Sequence, residues 1–214
     1  MKNATTSLIL LLALLFYWSC TEEAEQIETV RDPATETPPF TKNIIFSENV
    51  EGTTPFSKAH DWDIGDWDYA LQFVTDVAYE GSKSARFEIQ EDQELVATGK
   101  RSEITIVKGE DGDIGNNTWY SFAVYFPEAG YEYDDEREVI NQWYQDGSPA
   151  TSLRTEEDKL ILETGNTEDS RKEYVIAGIV KNKWHTVVIH FIHSYSSDGL
   201  IEIWYDGEKK MTLR

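Results

Sequence analysis

The sequence predicts an all-β protein built as a two-sheet antiparallel β-sandwich. Apolar and polar residues alternate with a period of two along several short segments after residue 43, which is typical of strands with one buried face. Turn dipeptides such as Asp198-Gly199 and Asp206-Gly207 separate these segments. The high aromatic content of 13% also favours a β-rich protein, and no segment shows the period of a long amphipathic helix.

Five segments carry this alternation most clearly. Their apolar positions are Ala85, Phe87 and Ile89; Ile104 and Ile106; Tyr120, Phe122, Val124 and Phe126; Val187, Ile189 and Phe191; and Ile201, Ile203 and Tyr205. Antiparallel sheets with one apolar face are stabilised when two such faces pack together. Several of the opposite faces carry aromatic and charged residues, which predicts a binding groove on an outer face of the sandwich.

The first 42 residues predict export and attachment. Residues 1–20 carry Lys2 and then an apolar run that is too short to span a bilayer, as in a signal peptide. Ser19-Cys20 resembles the lipid-attachment box of a bacterial lipoprotein, with ordinary cleavage beside an incidental cysteine as the alternative. Residues 21–42 are acidic and proline-containing, so we expect a tether. This organisation predicts a cell-surface or periplasm-facing domain that meets a membrane only through a lipid anchor.

Composition excludes several functional classes. The formal charge is −21, from 19 Lys and Arg against 40 Asp and Glu, so a nucleic-acid partner is not expected. Cys20 is the single cysteine, which removes disulfides, thiolate zinc sites and a cysteine nucleophile from residues 43–214. His190 and His193 point to opposite faces of one strand, so no metal site is expected there. We expect a monomer that needs no cofactor.

The aspartates between residues 61 and 68 offer the one candidate for a structural ion. Alternating carboxylates around Gly65 supply the oxygen ligands that calcium prefers. The glutamate that closes a hand-type calcium loop is missing from this segment. A solvated acidic loop is therefore the favoured interpretation, with structural calcium as the alternative.

Three segments carry side chains suited to catalysis. Arg101 and Glu103 share one face of a strand, where the carboxylate can orient the guanidinium. Gln142 and Tyr144 share a face of another strand, and they offer an amide donor and a hydroxyl that can pass a proton. His190 lies opposite the apolar set of its own strand, and a neutral imidazole is a natural base near neutral pH. A surface ion pair, a polar strand face and a structural histidine are the respective alternatives.

The order of these segments along the chain resembles that of β-jelly-roll polysaccharide lyases, above all the heparin lyase I-like group that includes glucuronan lyases. The segments that carry the resemblance are GSKSARFEI at 81–89, KRSEI at 100–104, WYSF at 119–122 with FP at 126–127, QWY at 142–144, WHTVVIH at 184–190 and DGLIEIWYDG at 198–207. The last of these also resembles concanavalin-like sugar-binding sandwiches. The resemblance covers about residues 44–210.

This resemblance implies β-elimination at a 4-linked uronic acid within an anionic polysaccharide. It assigns neutralisation of the uronate carboxylate to Arg101 and Gln142, where donors stabilise the charge that develops as the C5 proton leaves. It makes His190 the candidate base, with Tyr144 as acid or base at a position where many relatives have histidine. The residues that can build a local basic groove for such a substrate are Lys100, Arg101, Arg154, Arg171 and Lys172.

Further contacts with the polysaccharide are expected from side chains near these motifs: Arg86, Glu103, Tyr125, Trp143 and Trp204. Members of the group continue past residues 198–207 into a strand that carries a tyrosine. The sequence to Arg214 therefore predicts a lyase domain over residues 43–214 that lacks a C-terminal strand.

Two other functions are compatible with the same fold. The first is a non-catalytic carbohydrate-binding sandwich, in which Tyr125, Trp143 and Trp204 stack on sugar rings. The second is a glycoside hydrolase, which requires paired carboxylates on one strand face. Glu136 and Glu138 are the nearest such pair, at the edge of an expected loop.

Overall fold

The computed structural model describes residues 43–108, 114–145, 147–194 and 196–214. In this part of the chain the elements are β1 (Asp61–Ile64), β2 (Leu71–Val74), β3 (Ser84–Phe87), β4 (Ser102–Thr105), β5 (Asn117–Tyr125), β6 (Glu138–Gln145), β7 (Ser148–Glu156), β8 (Lys159–Thr164), a 3-10 turn (Glu168–Ser170), β9 (Lys172–Gly178), β10 (Trp184–Ile192), β11 (Leu200–Tyr205) and β12 (Glu208–Leu213). The predicted signal peptide, Cys20 and the tether lie outside it. None of the described helices is long and apolar enough to cross a membrane.

Two four-stranded antiparallel sheets form a β-sandwich, as the alternation predicts. The back sheet has the strand order β12-β11-β10-β5, and the front sheet has the order β6-β7-β8-β9. Two smaller sheets pair β1 with β4 and β2 with β3. The five segments with clear alternation fall on β3, β4, β5, β10 and β11.

The core lies between the front and back sheets. Its buried members are Phe126, Leu153, Leu160, Leu162, Ile176, Ile179, Val187, Ile189, Phe191, Ile203 and Tyr205. They include residues of β7, β8 and β9 from the front sheet and of β10 and β11 from the back sheet. Successive side chains of a strand point to opposite faces, so the neighbours of these residues point outward from the sandwich.

The turn between β11 and β12 shows how local sequence fixes the register of the back sheet. Asp206 and Gly207 both have positive φ angles, 52° and 80°, as a tight hairpin turn with two left-handed residues requires. The Asp206 carboxylate accepts hydrogen bonds from the Thr186 amide at 2.9 Å, the Lys183 ammonium at 2.7 Å and His185 Nδ1 at 3.0 Å. Burial alone would raise the pKa of Asp206, but these hydrogen bonds lower it below its ordinary value.

The favoured interpretation of residues 61–68 as a solvated loop is wrong for its first half. Residues 61–64 form β1, which pairs with β4 in the register Asp61↔Thr105, Trp62↔Ile104, Asp63↔Glu103 and Ile64↔Ser102. This pairing partner lies 38–44 residues further along the chain, and the local pattern of aspartates does not reveal it.

Candidate active site

The outward face of the front sheet carries a row of polar residues. Gln142 of β6 pairs with Ser152 of β7, Ser152 with Glu163 of β8, and Glu163 with Glu173 of β9. Trp143 and Leu153, which follow Gln142 and Ser152, and Leu162, which precedes Glu163, lie in or against the core. The row itself therefore points away from the core. We call this surface the front face.

Arg101 and Gln142 meet at one end of the front face through Glu103. Gln142 Nε2 donates to Glu103 Oε1 at 2.5 Å, and the Arg101 Nη1 atom lies 3.7 Å from Glu103 Oε2. Arg101 Nη1 also lies 3.4 Å from Asp63 Oδ2. We call Asp63, Arg101, Glu103 and Gln142 the Arg101 cluster. A guanidinium from the segment of β4 and an amide from β6 therefore lie close together at this cluster.

Electrostatics explains why Arg101 takes this position. Asp63 and Glu103 are direct partners across β1 and β4, an arrangement that is unfavourable for two carboxylates. The guanidinium of Arg101 lies between them and offsets their repulsion. The three side chains together carry one positive and two negative charges. An additional anion bound at this cluster therefore needs cations from elsewhere on the surface.

Tyr144 follows Gln142 by two residues on β6 and is 66% exposed. The spacing of two residues puts its side chain on the same side of β6 as Gln142. A hydroxyl beside donors for a carboxylate is suited to proton transfer on a bound sugar acid.

The structure separates His190 from the Arg101 cluster, so the residues to which the resemblance gives catalytic roles do not all share one surface. His190 points to the face of β10 opposite the core residues Val187, Ile189 and Phe191, as the alternation predicts. That face is the outer face of the back sheet, whereas the Arg101 cluster lies on the front face. Alternation identifies the polar side of a strand, but it does not identify which sheet of a sandwich carries the groove.

The surroundings of His190 are those of a structural residue. Its Nδ1 atom lies 2.8 Å from Glu202 Oε2, and its Nε2 atom lies 2.9 Å from Asn117 Oδ1. Its ring stacks on Trp119 with centroids 4.1 Å apart and planes 3° from parallel. The residue is 8% exposed. With both ring nitrogens occupied and the ring covered, His190 is not placed to take a proton from a substrate.

Two of the aromatic residues expected to stack on sugars pack against other aromatic side chains, Trp143 partly buried and Trp204 buried. Trp143 packs against Phe191 and Tyr120, with ring centroids 4.8 Å and 5.3 Å away. Trp204 is 5% exposed on the outer side of the back sheet, where its ring faces Trp119 at 5.5 Å. These ring contacts indicate a packing role for both residues, which corrects the expectation that they stack on sugar rings.

Tyr125 and Arg86 also have other surroundings than expected. Tyr125 lies on the back sheet, where its ring meets Trp184 at 5.4 Å and its hydroxyl donates to Asn182 Oδ1 at 3.2 Å. Arg86 belongs to the β2–β3 hairpin, where it donates to Gln72 Oε1 at 3.2 Å and pairs with Glu88. Among the described residues, these two side chains form their polar and ring contacts away from the Arg101 cluster. Glu103 alone of the expected binding residues lies in it.

Three features of the front face are not visible in the sequence patterns. Asp63 joins the Arg101 cluster through the long-range pairing of β1 with β4. Further along the front face, Glu163 lies between Arg154 and Arg171. The third feature is Arg137, which binds carboxylates from β7 and β9. Strand alternation places Arg154 and Glu163 on polar faces, but only the pairing of β7 with β8 brings them together.

His193 is the histidine that packs toward the front sheet. Its ring stacks on Phe191 at 5.1 Å, and Phe191 in turn contacts Trp143 of β6. Burial lowers the pKa of His193 and so favours its neutral form. Within the four described ranges, no group of three or more His, Cys, Asp or Glu side chains is arranged to hold a metal ion.

Comparisons with known proteins agree with this architecture. The family model described as polysaccharide lyase matches residues 51–214. The crystal structure of an endo-β-1,4-glucuronan lyase from the fungus Trichoderma reesei superposes with a TM-score of 0.51 over 72% of this chain and 75% of that chain, at 18% sequence identity. At this identity the likeness concerns the fold. No curated protein matches the sequence.

Proposed function

The chain belongs to the polysaccharide lyase family and is a lyase, and on that premise we propose that it cleaves 4-linked uronate polysaccharides by β-elimination at the Arg101 cluster. The observation that carries the proposal is the joint contact of Arg101 and Gln142 with Glu103. This contact holds a cationic and a neutral donor side by side, at one end of the front face.

The chemistry of elimination explains why such a pair is useful. The proton at C5 of a uronic acid is weakly acidic, because its removal pushes negative charge into the adjacent carboxylate. Donors aimed at that carboxylate stabilise the charge as it develops. The electrons of the C5–H bond then form the C4=C5 double bond, the C4–O4 bond breaks, and O4 leaves with a proton. No step in this scheme requires a cofactor.

Each residue of the proposed site has one role. Arg101 and Gln142 donate to the two oxygens of the uronate carboxylate, as Gln142 now donates to Glu103. Glu103 positions both donors in the free protein. Tyr144, which is exposed two residues after Gln142 on β6, transfers the proton between C5 and O4. Binding of the substrate exchanges one acceptor carboxylate for another, which preserves the hydrogen bonding of the amide.

The test of this proposal is the appearance of unsaturated uronate ends. The full chain is incubated with glucuronan, alginate or heparin, and the ultraviolet absorbance of the new C4=C5 bond is followed. We expect activity on at least one of these polymers and a loss of about 10²–10³-fold in kcat for Arg101→Ala, as for removal of one donor to a developing anion.

The matched control is Arg137→Ala, which removes a guanidinium that is paired with Glu156 and Glu173 on the same face. Arg137→Ala should retain the activity of the wild type. Undiminished activity in Arg101→Ala would overturn the assignment of the site. Binding of these polymers without unsaturated products would instead favour the carbohydrate-binding sandwich.

The proposed location of the enzyme is the cell surface or the periplasm. The apolar leader, Ser19-Cys20 and the acidic tether support this part of the proposal. Metabolic labelling with a fatty acid tests it in the native host: we expect label in the wild-type chain and none in Cys20→Ser. Equal labelling of both proteins would contradict a lipid anchor at Cys20.

A further inference from the structure

The second arginine cluster on the front face has a different charge from the first. Arg154 Nη2 lies 3.3 Å from Glu163 Oε1, and Arg171 Nε lies 3.7 Å from the same oxygen. We call Arg154, Glu163 and Arg171 the Arg154 cluster. It contains two cations and one anion, and the adjacent carboxylate, that of Glu173 opposite Glu163 on β9, is held by Arg137. The Arg101 cluster contains one cation and two anions.

The ion pairs of the Arg154 cluster are loose. Both contacts to Glu163 are longer than the 2.7–2.9 Å that is typical of charge-assisted hydrogen bonds. Two guanidinium groups share one carboxylate oxygen, although each guanidinium has five N–H donors. The Glu163 side chain is 5% exposed and lies beneath the arginines, whereas the Arg171 side chain is 40% exposed. The cluster can therefore accept a second carboxylate from the solvent side without losing its internal pair.

Arg137 provides the contrast on the same face. It pairs with Glu173 through Nη1, and its Nη2 atom lies 3.1 Å from Glu156 Oε2 and 3.2 Å from Glu173 Oε2. The hydrogen bonds that Arg137 donates to these two carboxylates raise its pKa above the ordinary value. Because both terminal nitrogens of this guanidinium already donate to carboxylates, Arg137 has fewer free donors for another anion than Arg171 has.

The spacing of the two clusters suits a polymer. Gln142 and Glu163 are separated by β7 in the row Gln142–Ser152–Glu163, which corresponds to about 10 Å at a strand spacing of 4.7–4.9 Å. Arg154 Nε donates to Ser152 Oγ at 3.0 Å, so its side chain lies over this same row. This separation is comparable to the length of a disaccharide unit of a 4-linked pyranose chain.

We propose that Arg154 and Arg171 form a second carboxylate subsite. It binds another uronate of the same polysaccharide molecule whose reacting uronate is held by Arg101 and Gln142. The inference rests on the proposed function and deepens it: the substrate class is a polyuronate with uronates close together, rather than a neutral chain with isolated uronates. The subsite also supplies the cations that the Arg101 cluster lacks, so a protein of charge −21 can hold a polyanion.

The experiment compares Arg171→Ala with Arg137→Ala on intact glucuronan and on glucuronan whose carboxyl groups have been partly reduced to alcohols. Arg171→Ala leaves Arg154 on Glu163, so the buried carboxylate stays paired. We expect Arg171→Ala to raise KM for intact glucuronan about tenfold with little change in kcat, the size of effect that one charge-assisted contact has on binding. Arg137→Ala should leave KM unchanged.

Two further measurements sharpen the test. The wild type should prefer the intact polymer to the partly reduced one, and Arg171→Ala should lose most of this preference. The KM of the wild type should also rise with ionic strength more steeply than that of Arg171→Ala, because salt screens the missing contact. Arg171→Lys should recover part of the affinity, since it restores the charge without the planar fork.

A binding measurement separates failure of the subsite from failure of the proposed function. Calorimetric titration of oligoglucuronate into Tyr144→Phe and into Tyr144→Phe combined with Arg171→Ala reports affinity without turnover. Weaker binding in the double variant supports the subsite even if no lyase activity on uronates is found. Equal binding, or an unchanged KM for Arg171→Ala in an active enzyme, overturns the subsite and leaves the proposed function standing.

Discussion

Replacement of His190 by alanine distinguishes a structural histidine from a catalytic one. Alanine removes the hydrogen bonds to Glu202 and Asn117 and the ring stacked on Trp119. A hydrogen bond to a charged group contributes about 1.5–3 kcal/mol, and an aromatic stack contributes about 0.5–1.5 kcal/mol. Glu202 keeps its ion pair with Lys209, so it is not left alone. We expect a loss of about 2–4 kcal/mol in the free energy of unfolding.

The assay is urea denaturation followed by tryptophan fluorescence, since the chain has 7 Trp residues. The midpoint should fall while the slope with denaturant stays the same, which indicates lost stability rather than a changed unfolded state. His60→Ala is the matched control, because His60 is exposed and contacts Thr105 through its backbone amide. It should change stability by less than about 0.5 kcal/mol.

Lyase activity decides the interpretation. Per folded molecule, His190→Ala should turn over uronate polysaccharide at the wild-type rate, because the side chain lies on the outer face of the back sheet. A stable His190→Ala protein with its activity reduced a hundredfold would refute the reasoning. It would mean that His190 reaches the reacting sugar and that the front face is not the site.

Three other changes test the remaining parts of the structure. Glu103→Ala should lower kcat/KM by about 10²-fold because Arg101 and Gln142 lose the group that positions them. Glu103→Gln should lower kcat/KM less, and equal losses in the two variants would argue against a positioning role. Trp143→Ala should destabilise the fold by about 3–5 kcal/mol with KM for the polysaccharide unchanged, so a raised KM would place the ring against substrate. Because folding lowers the pKa of Asp206, this carboxylate stabilises the fold at pH values above its ordinary pKa of 3.8, and the stabilisation is lost as the pH falls through the folded pKa. Asp206→Asn should therefore make the free energy of unfolding less dependent on pH in the acid range.

The fold was largely predictable because strand alternation is a local property. Ile104, Val187 and Ile203 each stand in a segment of period two, and each lies on a strand of the structure. The strands β7, β8 and β9 were not identified individually, because buried and polar residues such as Thr151, Ser152 and Leu153 follow one another without clear alternation. In these strands the outward polar positions are covered by arginine side chains, so burial no longer follows the pattern of the sequence.

The candidate site was predictable in part, for a reason that its residues make plain. The Arg101–Glu103 pair lies within one short segment, and its polar face could be read from that segment alone. Joining it to Gln142 required the family resemblance, and joining it to Asp63 required the pairing of β1 with β4. The error with His190 has the same origin, since its polar face was identified correctly but belongs to the other sheet.

The sequence by itself determined the all-β class, most of the strand positions in the back sheet and the polar sides of β5, β10 and β11, because side chains alternate within a strand regardless of its neighbours. Only the tertiary structure decided which polar sides share a surface. Strand order brought Arg154 onto Glu163 and Gln142 onto Glu103, and it put His190 behind the sandwich. Interactions between residues far apart in the chain depend on how the sheets are assembled, and the residues of a single strand carry no record of that assembly.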